Sequence, residues 1–169
     1  MAATRPRSSV PRSGGAFTLA ELMVVIVIIG VAAGMVIPYA SSAGDTAAIA
    51  GARLVICDLQ YAQNMAITTQ MPVTVTFDPN ADSYRLSNAS GLLIHPMTKE
   101  DYVTDFSSSR GFEGLDVVSA DFNSSPSIVF DEFGSPDNAG KVTLQAGAQV
   151  YVITVGAATG KVTVELAGG

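Results

Sequence analysis

The sequence is poor in the residue types that most catalytic and metal sites require. Its 169 residues include one cysteine, Cys57, one histidine, His95, and no tryptophan. A single cysteine excludes an internal disulfide, and the chain has no pair of histidines or cysteines to ligate a metal. It also lacks a nucleophile elbow and a phosphate-binding loop. The sequence therefore indicates a protein that is not an enzyme and needs no cofactor.

Charged residues are also scarce, and their signs are separated along the chain. Only 14% of the residues are charged, yet three of the nine basic residues precede Phe17, and all fifteen acids lie at or after Glu21. Without residues 1–16 the chain would retain six basic residues against fifteen acids, a net charge of −9. Because nucleic-acid affinity depends largely on lysine and arginine contacts with phosphates, we expect no nucleic-acid partner.

The chain does contain one long apolar run. Between Leu22 and Ile37 no residue is charged, and extending the run back to Phe17 adds only Thr18 and Glu21 as polar residues. A helix over 17–37 would be about 30 Å long, which matches the hydrocarbon thickness of a bilayer. The basic leader before it favours a cytoplasmic N-terminus. We therefore expect a transmembrane helix over 17–37, with the remainder of the chain on the outer side.

The residues around Glu21 resemble the processing signature of type IV prepilins and type II secretion pseudopilins. Residues 14–25 read GGAFTLAELMVV, and the family pattern is glycine, phenylalanine, threonine, leucine, an aliphatic residue, glutamate and leucine. The resemblance implies that a prepilin peptidase removes residues 1–16 by cutting between Ala16 and Phe17, and that the new amine of Phe17 is N-methylated. It also implies that the carboxylate of Glu21 pairs with the amine of a neighbouring subunit. Such pairing offsets much of the cost of placing two charges in lipid.

Two positions depart from this pattern or add to it. The family has glycine before the cut, whereas this chain has Ala16, with Gly15 one position earlier. Cleavage before Phe17 is preferred and makes Glu21 the fifth residue of the mature chain, while cleavage between Gly15 and Ala16 would make it the sixth. Pro38 lies where many pilins have a proline, and it is expected to kink or locally break the helix because it lacks an N–H.

The segment 38–70 predicts an amphipathic continuation of the helix. Small residues at 39–44 predict a flexible joint, after which Asp45 is placed to cap a renewed helix. Apolar residues then recur at steps of three and four: Ile49, Ala52, Ile56, Leu59, Ala62 or Gln63, and Ala66. Cys57 lies within this pattern and is expected to be buried. The Met71-Pro72 pair is expected to end the helix.

From Val73 onward the apolar period changes to two, which predicts short antiparallel strands. The candidate strands lie at 73–77, 84–86, 115–120, 127–130, 141–145, 149–155 and 161–166, and residues 88–126 are the least regular. The predicted fold is therefore α+β and pilin-like: a long N-terminal helix packed on a small antiparallel β-sheet domain over 71–169.

Three further features were considered as possible sites. Asp78, Asn80 and Asp82 have the spacing of the first ligands of a calcium loop, but Ser83 and Ala89 replace the glycine and the glutamate that such a loop needs, so a hairpin turn is preferred. His95 is expected to be structural or solvated. The remaining loop acids are interpreted as solvated, with a partner's basic patch as the alternative: Glu100, Asp101, Asp105, Asp131 and Glu132.

Three short segments resemble a narrower group, the minor pseudopilin H and FimT-type minor pilins. They are 62–67 (AQNMAI), 130–134 (FDEFG) and 159–162 (TGKV). The resemblance implies a minor pseudopilin of a type II secretion system, held in the inner membrane with its N-terminus cytoplasmic and its acidic domain periplasmic. It would then join other pseudopilin subunits in a periplasmic pseudopilus. The alternative is a FimT-like minor type IV pilin acting in pilus assembly, adhesion or DNA uptake.

Two other classes of protein would have different mature N-termini. An exported hydrolase or binding domain behind a secretory signal would begin near Gly44 after cleavage. A permanently anchored periplasmic receptor would keep Met1. The N-terminus of the mature protein therefore separates these alternatives from the pilin hypothesis.

Overall fold

A computed structural model describes residues 18–167, including the side chains of residues 18–33 and 46–167. The chain divides between Pro38 and Tyr39 into two compact units. In the described residues the first unit consists of the N-terminal part of helix α1, which covers Leu19–Thr69. The second unit contains the rest of α1 and nine β-strands.

Helix α1 continues through Pro38 and through residues 39–44 as a single helix. The predicted break and renewed start at Asp45 are therefore wrong, because one missing N–H leaves the other backbone bonds of a helix in place. A kink at Pro38 remains a prediction. The helix ends at Thr69, where Gln70 follows with φ +53°, so the predicted stop before Met71-Pro72 is confirmed.

In the second unit, α1 presents mostly small side chains to the core. The buried apolar side chains are Ala47, Ala48, Ala52, Val55, Leu59, Ala62 and Ala66. Ala62 rather than Gln63 therefore belongs to the buried face, and Ile49, which is 38% exposed, does not. Cys57 is also exposed, so its predicted burial is wrong. A step of two residues from Val55 or Leu59 turns a side chain by about 200° around the helix, away from the core.

The strands of the β-sheet domain form two antiparallel sheets. The first contains β1 (Val73–Asp78), β2 (Ser83–Asn88), β3 (Gly91–Leu92), β4 (Val103–Asp105) and β6 (Ser127–Phe130), and the second contains β5 (Leu115–Asp121), β7 (Gly140–Ala146), β8 (Gln149–Val155) and β9 (Val162–Leu166). The first sheet has the order β3-β2-β1-β6, with β4 also paired to β2, and the second has the order β5-β7-β8-β9. The predicted α+β, pilin-like fold class is confirmed.

The alternating sequence pattern located the longer strands correctly. In β1 the buried side chains are Val73, Val75 and Phe77, and a tight hairpin pairs Asp78 with Ser83 at the start of β2. Strands β3 and β4 lie in the region that was called least regular. They were missed because two or three residues are too few to establish an alternation.

The core joins α1 to both sheets in one cluster of buried side chains. At its centre Phe77 packs against Tyr84 and Phe122, with ring centroids 5.4 and 6.0 Å apart. On the helix, Gly51 faces Leu115 of β5 so closely that a Cβ at this position would overlap the leucine side chain. Small residues on α1 therefore allow the helix backbone to approach the second sheet closely.

Substitution of Leu59 tests the assignment of the buried helix face. Leu59 is fully buried, so Leu59→Ala is expected to lower the free energy of unfolding by about 2–5 kcal/mol through lost burial and a residual cavity. Ile49→Ala is the control, with an expected loss of about 1 kcal/mol or less because Ile49 is partly exposed. Urea unfolding of the full chain in detergent, followed by circular dichroism, measures both. Equal losses in the two variants would contradict the assignment.

Candidate functional site

The N-terminal part of α1 carries an apolar surface that is exposed all round the helix. Every side chain from Thr18 to Ala33 is exposed. The large apolar ones are Leu19, Leu22, Met23, Val24, Val25, Ile26, Val27, Ile28, Ile29 and Val31. A helix that is apolar on every face is normally covered by lipid or by protein. This surface is therefore suited to a covering of lipid or of other protein.

The first turn of this helix is capped by the side chain of Thr18. The backbone N–H of Glu21 donates to Oγ1 of Thr18 at 3.2 Å, and the carbonyl of Thr18 accepts from the N–H groups of Glu21 and Leu22. Thr18 is thus the N-cap, and Glu21 stands at the third helical position, as in the capping-box sequence pattern. A carboxylate in this turn also interacts favourably with the helix dipole. Glu21 is consequently both a member of the cap and an exposed anionic group.

The residues predicted for processing lie outside the described part of the chain. They are Gly15, Ala16 and Phe17, whereas Glu21 is described and Pro38 is described only as a backbone position. Among the described residues, no helix combines the length and hydropathy that crossing a bilayer would require.

In the second unit, a buried carboxylate connects α1 to the first sheet. Asp58 is only 6% exposed, and it accepts hydrogen bonds from the hydroxyls of Tyr84 at 2.6 Å and Tyr102 at 3.1 Å. Tyr84 lies on β2, and Tyr102 immediately precedes β4. The ring of Tyr102 also packs against Tyr61 of α1 and against His95. Asp58 therefore attaches the helix to β2 and to the segment that leads into β4.

The surroundings of Asp58 change its protonation equilibrium. Burial raises the pKa of its carboxyl above the ordinary value, while the hydrogen bonds from Tyr84 and Tyr102 and the charge of His95 oppose that rise. Burial and the neighbouring carboxylate also raise the pKa of both tyrosine hydroxyls, so these remain protonated donors. The cluster consequently retains its hydrogen bonds at neutral pH, although its buried carboxyl is easier to protonate than an exposed one.

A second polar contact attaches α1 to two separate loops. Nε2 of Gln63 donates to the carbonyl oxygen of Gly134 at 2.7 Å and to that of Thr159 at 2.9 Å. Gly134 has φ +79°, and a Cβ there would lie 2.7 Å from Cδ1 of Ile67, so only glycine fits this position without strain. One carboxamide thus joins the helix, the loop after β6 and the loop after β8. These are also the three segments in which the sequence resembles minor pseudopilin H.

The other candidate residues have structural partners. Nδ1 of His95 accepts from the backbone N–H groups of Met97 and Thr98, which fixes a loop. Oδ1 of Asp78 accepts from the N–H of Asn80 within the β1–β2 turn, and Oδ1 of Asp82 accepts from the N–H of Val117 on β5. The hairpin interpretation of this turn is therefore confirmed. Among residues 18–167, no group of three histidine, cysteine or acidic side chains is placed to hold a metal ion.

The sequence alone does not mark Asp58 or Gln63 as functionally important residues. An acid between Val55 and Ala62, next to the apolar Leu59, was the available signal for a buried carboxylate. The signal for Gln63 was its place in a segment that resembles the family. Neither signal specifies a partner, because the partners are distant in sequence.

Comparisons with known proteins cover both units of the chain. Residues 51–160 match the family described as type II transport protein GspH, and residues 12–37 match the prokaryotic N-terminal methylation motif. A search of curated proteins finds no match.

Solved structures with the same fold include minor pseudopilins and a minor pilin. The minor pseudopilin EpsH from the type 2 secretion system of Vibrio cholerae has a TM-score of 0.55 at 14% identity, covering 70% of this chain and 96% of that chain. A second EpsH crystal structure has the same score and identity, covering 74% and 96%. The type IV minor pilin FimU from Pseudomonas aeruginosa has a TM-score of 0.50 at 16% identity, covering 70% and 87%. At these identities the likeness establishes the fold.

Substitution of Asp58 is expected to remove a pH dependence of stability. Because the folded-state pKa of Asp58 lies above its ordinary value of 3.8, the wild-type protein loses stability as the pH rises through that folded-state pKa. Asp58→Asn does not titrate, so the stability of wild type relative to this variant should fall over the same interval. Urea unfolding in steps between about pH 4 and pH 8 measures the difference.

Asp116→Asn provides the matched control for this pH series, since Asp116 is an exposed acid on β5. Its stability profile should run parallel to that of wild type. If the pH profile of stability for Asp58→Asn also runs parallel to that of wild type, the buried carboxyl does not titrate in the way its surroundings indicate.

Substitution of Gln63 tests the contact between α1 and the two loops. Gln63→Ala removes both donors from the carbonyls of Gly134 and Thr159 and should lower the free energy of unfolding by about 1–3 kcal/mol. Asn64→Ala is the control, because Asn64 is exposed on the same helix and should change stability by no more than about 0.5 kcal/mol. Chemical unfolding of the full chain gives both values. Equal free energies of unfolding for Gln63→Ala and Asn64→Ala would show that the Gln63 contacts add nothing to stability.

Proposed function

Because the chain belongs to the GspH family of type II transport proteins, we propose that it is a minor pseudopilin subunit of a type II secretion system. It is processed by prepilin peptidase, held in the inner membrane with the second unit in the periplasm, and assembled through its N-terminal helix into a pseudopilus. Its role is structural rather than catalytic. The observation that carries the proposal is the fully exposed apolar helix with a carboxylate in its first turn.

The exposed apolar helix supports a subunit that is surrounded first by lipid and then by the helices of other subunits. Burial of each large aliphatic side chain contributes about 1.5–3 kcal/mol, so leaving this helix in water would be strongly unfavourable. Lipid covers it while the subunit waits in the membrane. The helices of other pilin-type subunits cover it in the filament. Lipid and neighbouring helices both keep the apolar surface out of water. The subunit therefore passes from the membrane to the filament without exposing its helix to water.

Glu21 supports assembly because its carboxylate would lie in an apolar environment without a compensating charge on the same chain. An ionised carboxylate in lipid costs several kcal/mol unless a partner compensates it. Cleavage before Phe17 creates an amine four residues from Glu21 in sequence, and the same amine on a neighbouring subunit is the proposed partner. Removal of either charge alone would leave the other uncompensated, which is the costly case for buried ion pairs.

A minor type IV pilin is the second candidate, because FimU also has this fold at a TM-score of 0.50. That role would place the chain in pilus assembly or adhesion. A role in DNA uptake is disfavoured by the net charge of −9 that remains without residues 1–16. Deletion of the chain in its host separates the two systems: loss of exoprotein secretion favours the pseudopilin, and loss of pili favours the pilin.

Charge substitution at Glu21 is expected to permit processing and to prevent assembly. In Glu21→Gln, mass spectrometry of the membrane-bound protein should still find N-methylphenylalanine at Phe17. The share of the chain that is isolated with filaments should nevertheless fall by about tenfold or more, because the amine of the neighbouring subunit loses its counter-charge. Glutamine keeps the capping-box geometry, so this variant separates charge pairing from helix capping.

Thr18→Ala is the complementary control, since it removes the cap and leaves the charge. It should be incorporated at close to the wild-type level. Wild-type incorporation of Glu21→Gln would contradict the proposed pairing. A wild-type N-terminus at Met1 or near Gly44 would contradict the pilin pathway altogether, and a start at Ala16 would favour the alternative cleavage bond.

A further inference from the structure

The loop after β6 exposes one large aromatic side chain. Phe133 is 77% exposed, although hydrogen bonds hold the residues on both sides of it in sequence. The carbonyl of Gly134 accepts from Gln63, and the carbonyl of Glu132 accepts from Nε2 of Gln70 at 3.2 Å. A loop that is fixed at two carbonyls, one bound by α1 and the other by the residue after its end, thus directs an apolar ring into solvent.

Hydrogen bonds within the loop fix its conformation further. Oδ1 of Asp131 accepts from the N–H of Phe133 at 3.0 Å and from that of Ser135 at 2.7 Å. The N–H of Asp131 donates to the carbonyl of Ser135, and the N–H of Gly134 donates to the carbonyl of Asp131, both at 2.9 Å. The backbone that carries Phe133 is therefore ordered before any partner arrives. Ordering in advance lowers the entropic cost of binding.

Two further exposed apolar residues lie near this loop, Ile67 on α1 and Met71 after the end of the helix. Ile67 lies beside Gly134, and Met71 follows Gln70, whose side chain binds Glu132. Both Ile67 and Met71 are exposed. We call these three residues, Ile67, Met71 and Phe133, the Phe133 patch. Aromatic and methionine side chains are enriched in protein interfaces, which makes this patch a candidate contact surface.

The size of the patch limits the kind of partner that it fits. Three side chains provide far less than the roughly 800 Å² per partner that a stable independent complex buries. The patch is large enough to bind only a partner that another contact already holds nearby. Tethering makes the second binding step intramolecular, so a small contact is then enough. In the proposed function, α1 holds neighbouring subunits in this way.

The charge around the patch limits the partner further. Asp131 and Glu132 directly precede Phe133, and residues 39–169 contain fourteen acids against six basic residues. Two copies of this unit would repel each other, and an anionic lipid surface would be repelled as well. A partner with a lysine or arginine beside an apolar hollow would instead complement Glu132 and receive Phe133.

From this geometry we propose that the Phe133 patch docks onto the folded domain of a different pilin-type subunit in the same filament, in an apolar hollow rimmed by a basic residue. The inference rests on the proposed function, because the assembled helices supply the tether. It adds a second, specific contact to the nonspecific apolar contact of the helices. Phe133 consequently determines which subunit becomes the neighbour. The apolar contact of α1 holds neighbouring subunits together without selecting among them.

Photo-crosslinking in the native host identifies the occupant of the patch. The full chain carries p-benzoylphenylalanine in place of Phe133 and, in a control chain, in place of Met97, which is 83% exposed in another loop. Irradiation should join position 133, but not position 97, to a different pilin-type subunit that mass spectrometry of the adduct identifies. An adduct with a second copy of this chain, a secreted protein or lipid, or no adduct at all, would overturn the proposal.

Charge substitution measures how much the patch contributes. Phe133→Asp should reduce co-isolation with filaments by about tenfold, the effect of losing one central interface residue, whereas Met97→Asp should change it by less than about twofold. Both variants should unfold at the wild-type temperature, because both side chains are exposed.

The two proposals fail in different ways. If wild type is methylated at Phe17 and enters filaments while Phe133→Asp enters them equally well, only the docking inference falls. If wild type is neither processed nor assembled, the proposed function falls and the docking inference falls with it.

Discussion

Close packing of α1 against two β-sheets is the interaction on which the rest of the second unit depends. Within residues 18–167 no strand pairing joins the two sheets, so the buried face of the helix and the aromatic core between them hold the unit together. Small residues make this possible, because Ala52, Ala62 and Ala66 let the helix backbone approach the strands. Gly51 opposite Leu115 is the limiting case, in which even a methyl group would not fit.

Polar contacts fix the position of α1 along the two sheets, which is the register of this packing. Apolar side chains are non-directional and would tolerate some sliding of the helix, whereas hydrogen bonds to particular atoms do not. Asp58 fixes the helix to Tyr84 and Tyr102, and Gln63, five residues later, fixes it to Gly134 and Thr159. The register in turn determines where the loop carrying Phe133 lies. The buried carboxyl and the exposed aromatic ring are thus linked through one helix.

The two parts of α1 differ in side-chain size as well as in exposure. Residues 22–31 are mainly large aliphatic side chains, all exposed, whereas the buried face at 47–66 is mainly alanine. Large side chains cover a helix with apolar surface that lipid or other helices can contact, and small ones let it pack closely on its own domain. The sequence of one helix therefore contains both a surface for other molecules and a surface for its own fold. The family match over residues 51–160 confirms the resemblance to minor pseudopilin H, and the match over residues 12–37 confirms the resemblance seen in the N-terminal signature.

The sequence by itself determined what depends on nearest neighbours: the apolar run, the helix end before Pro72, the longer strands and the β1–β2 hairpin. Each is a run, a repeat or a turn of residues that are close in sequence, so local composition, sterics and periodicity specify it. It misplaced Cys57 and Ile49, because the 3.6-residue period locates a buried face only approximately, and it missed β3 and β4 because they are too short. Only the tertiary structure decided that Gln63 meets carbonyls 71 and 96 residues away and that Asp58 lies between two tyrosines. Such contacts depend on how the sheets pack against the helix, and no local pattern in the chain records that arrangement.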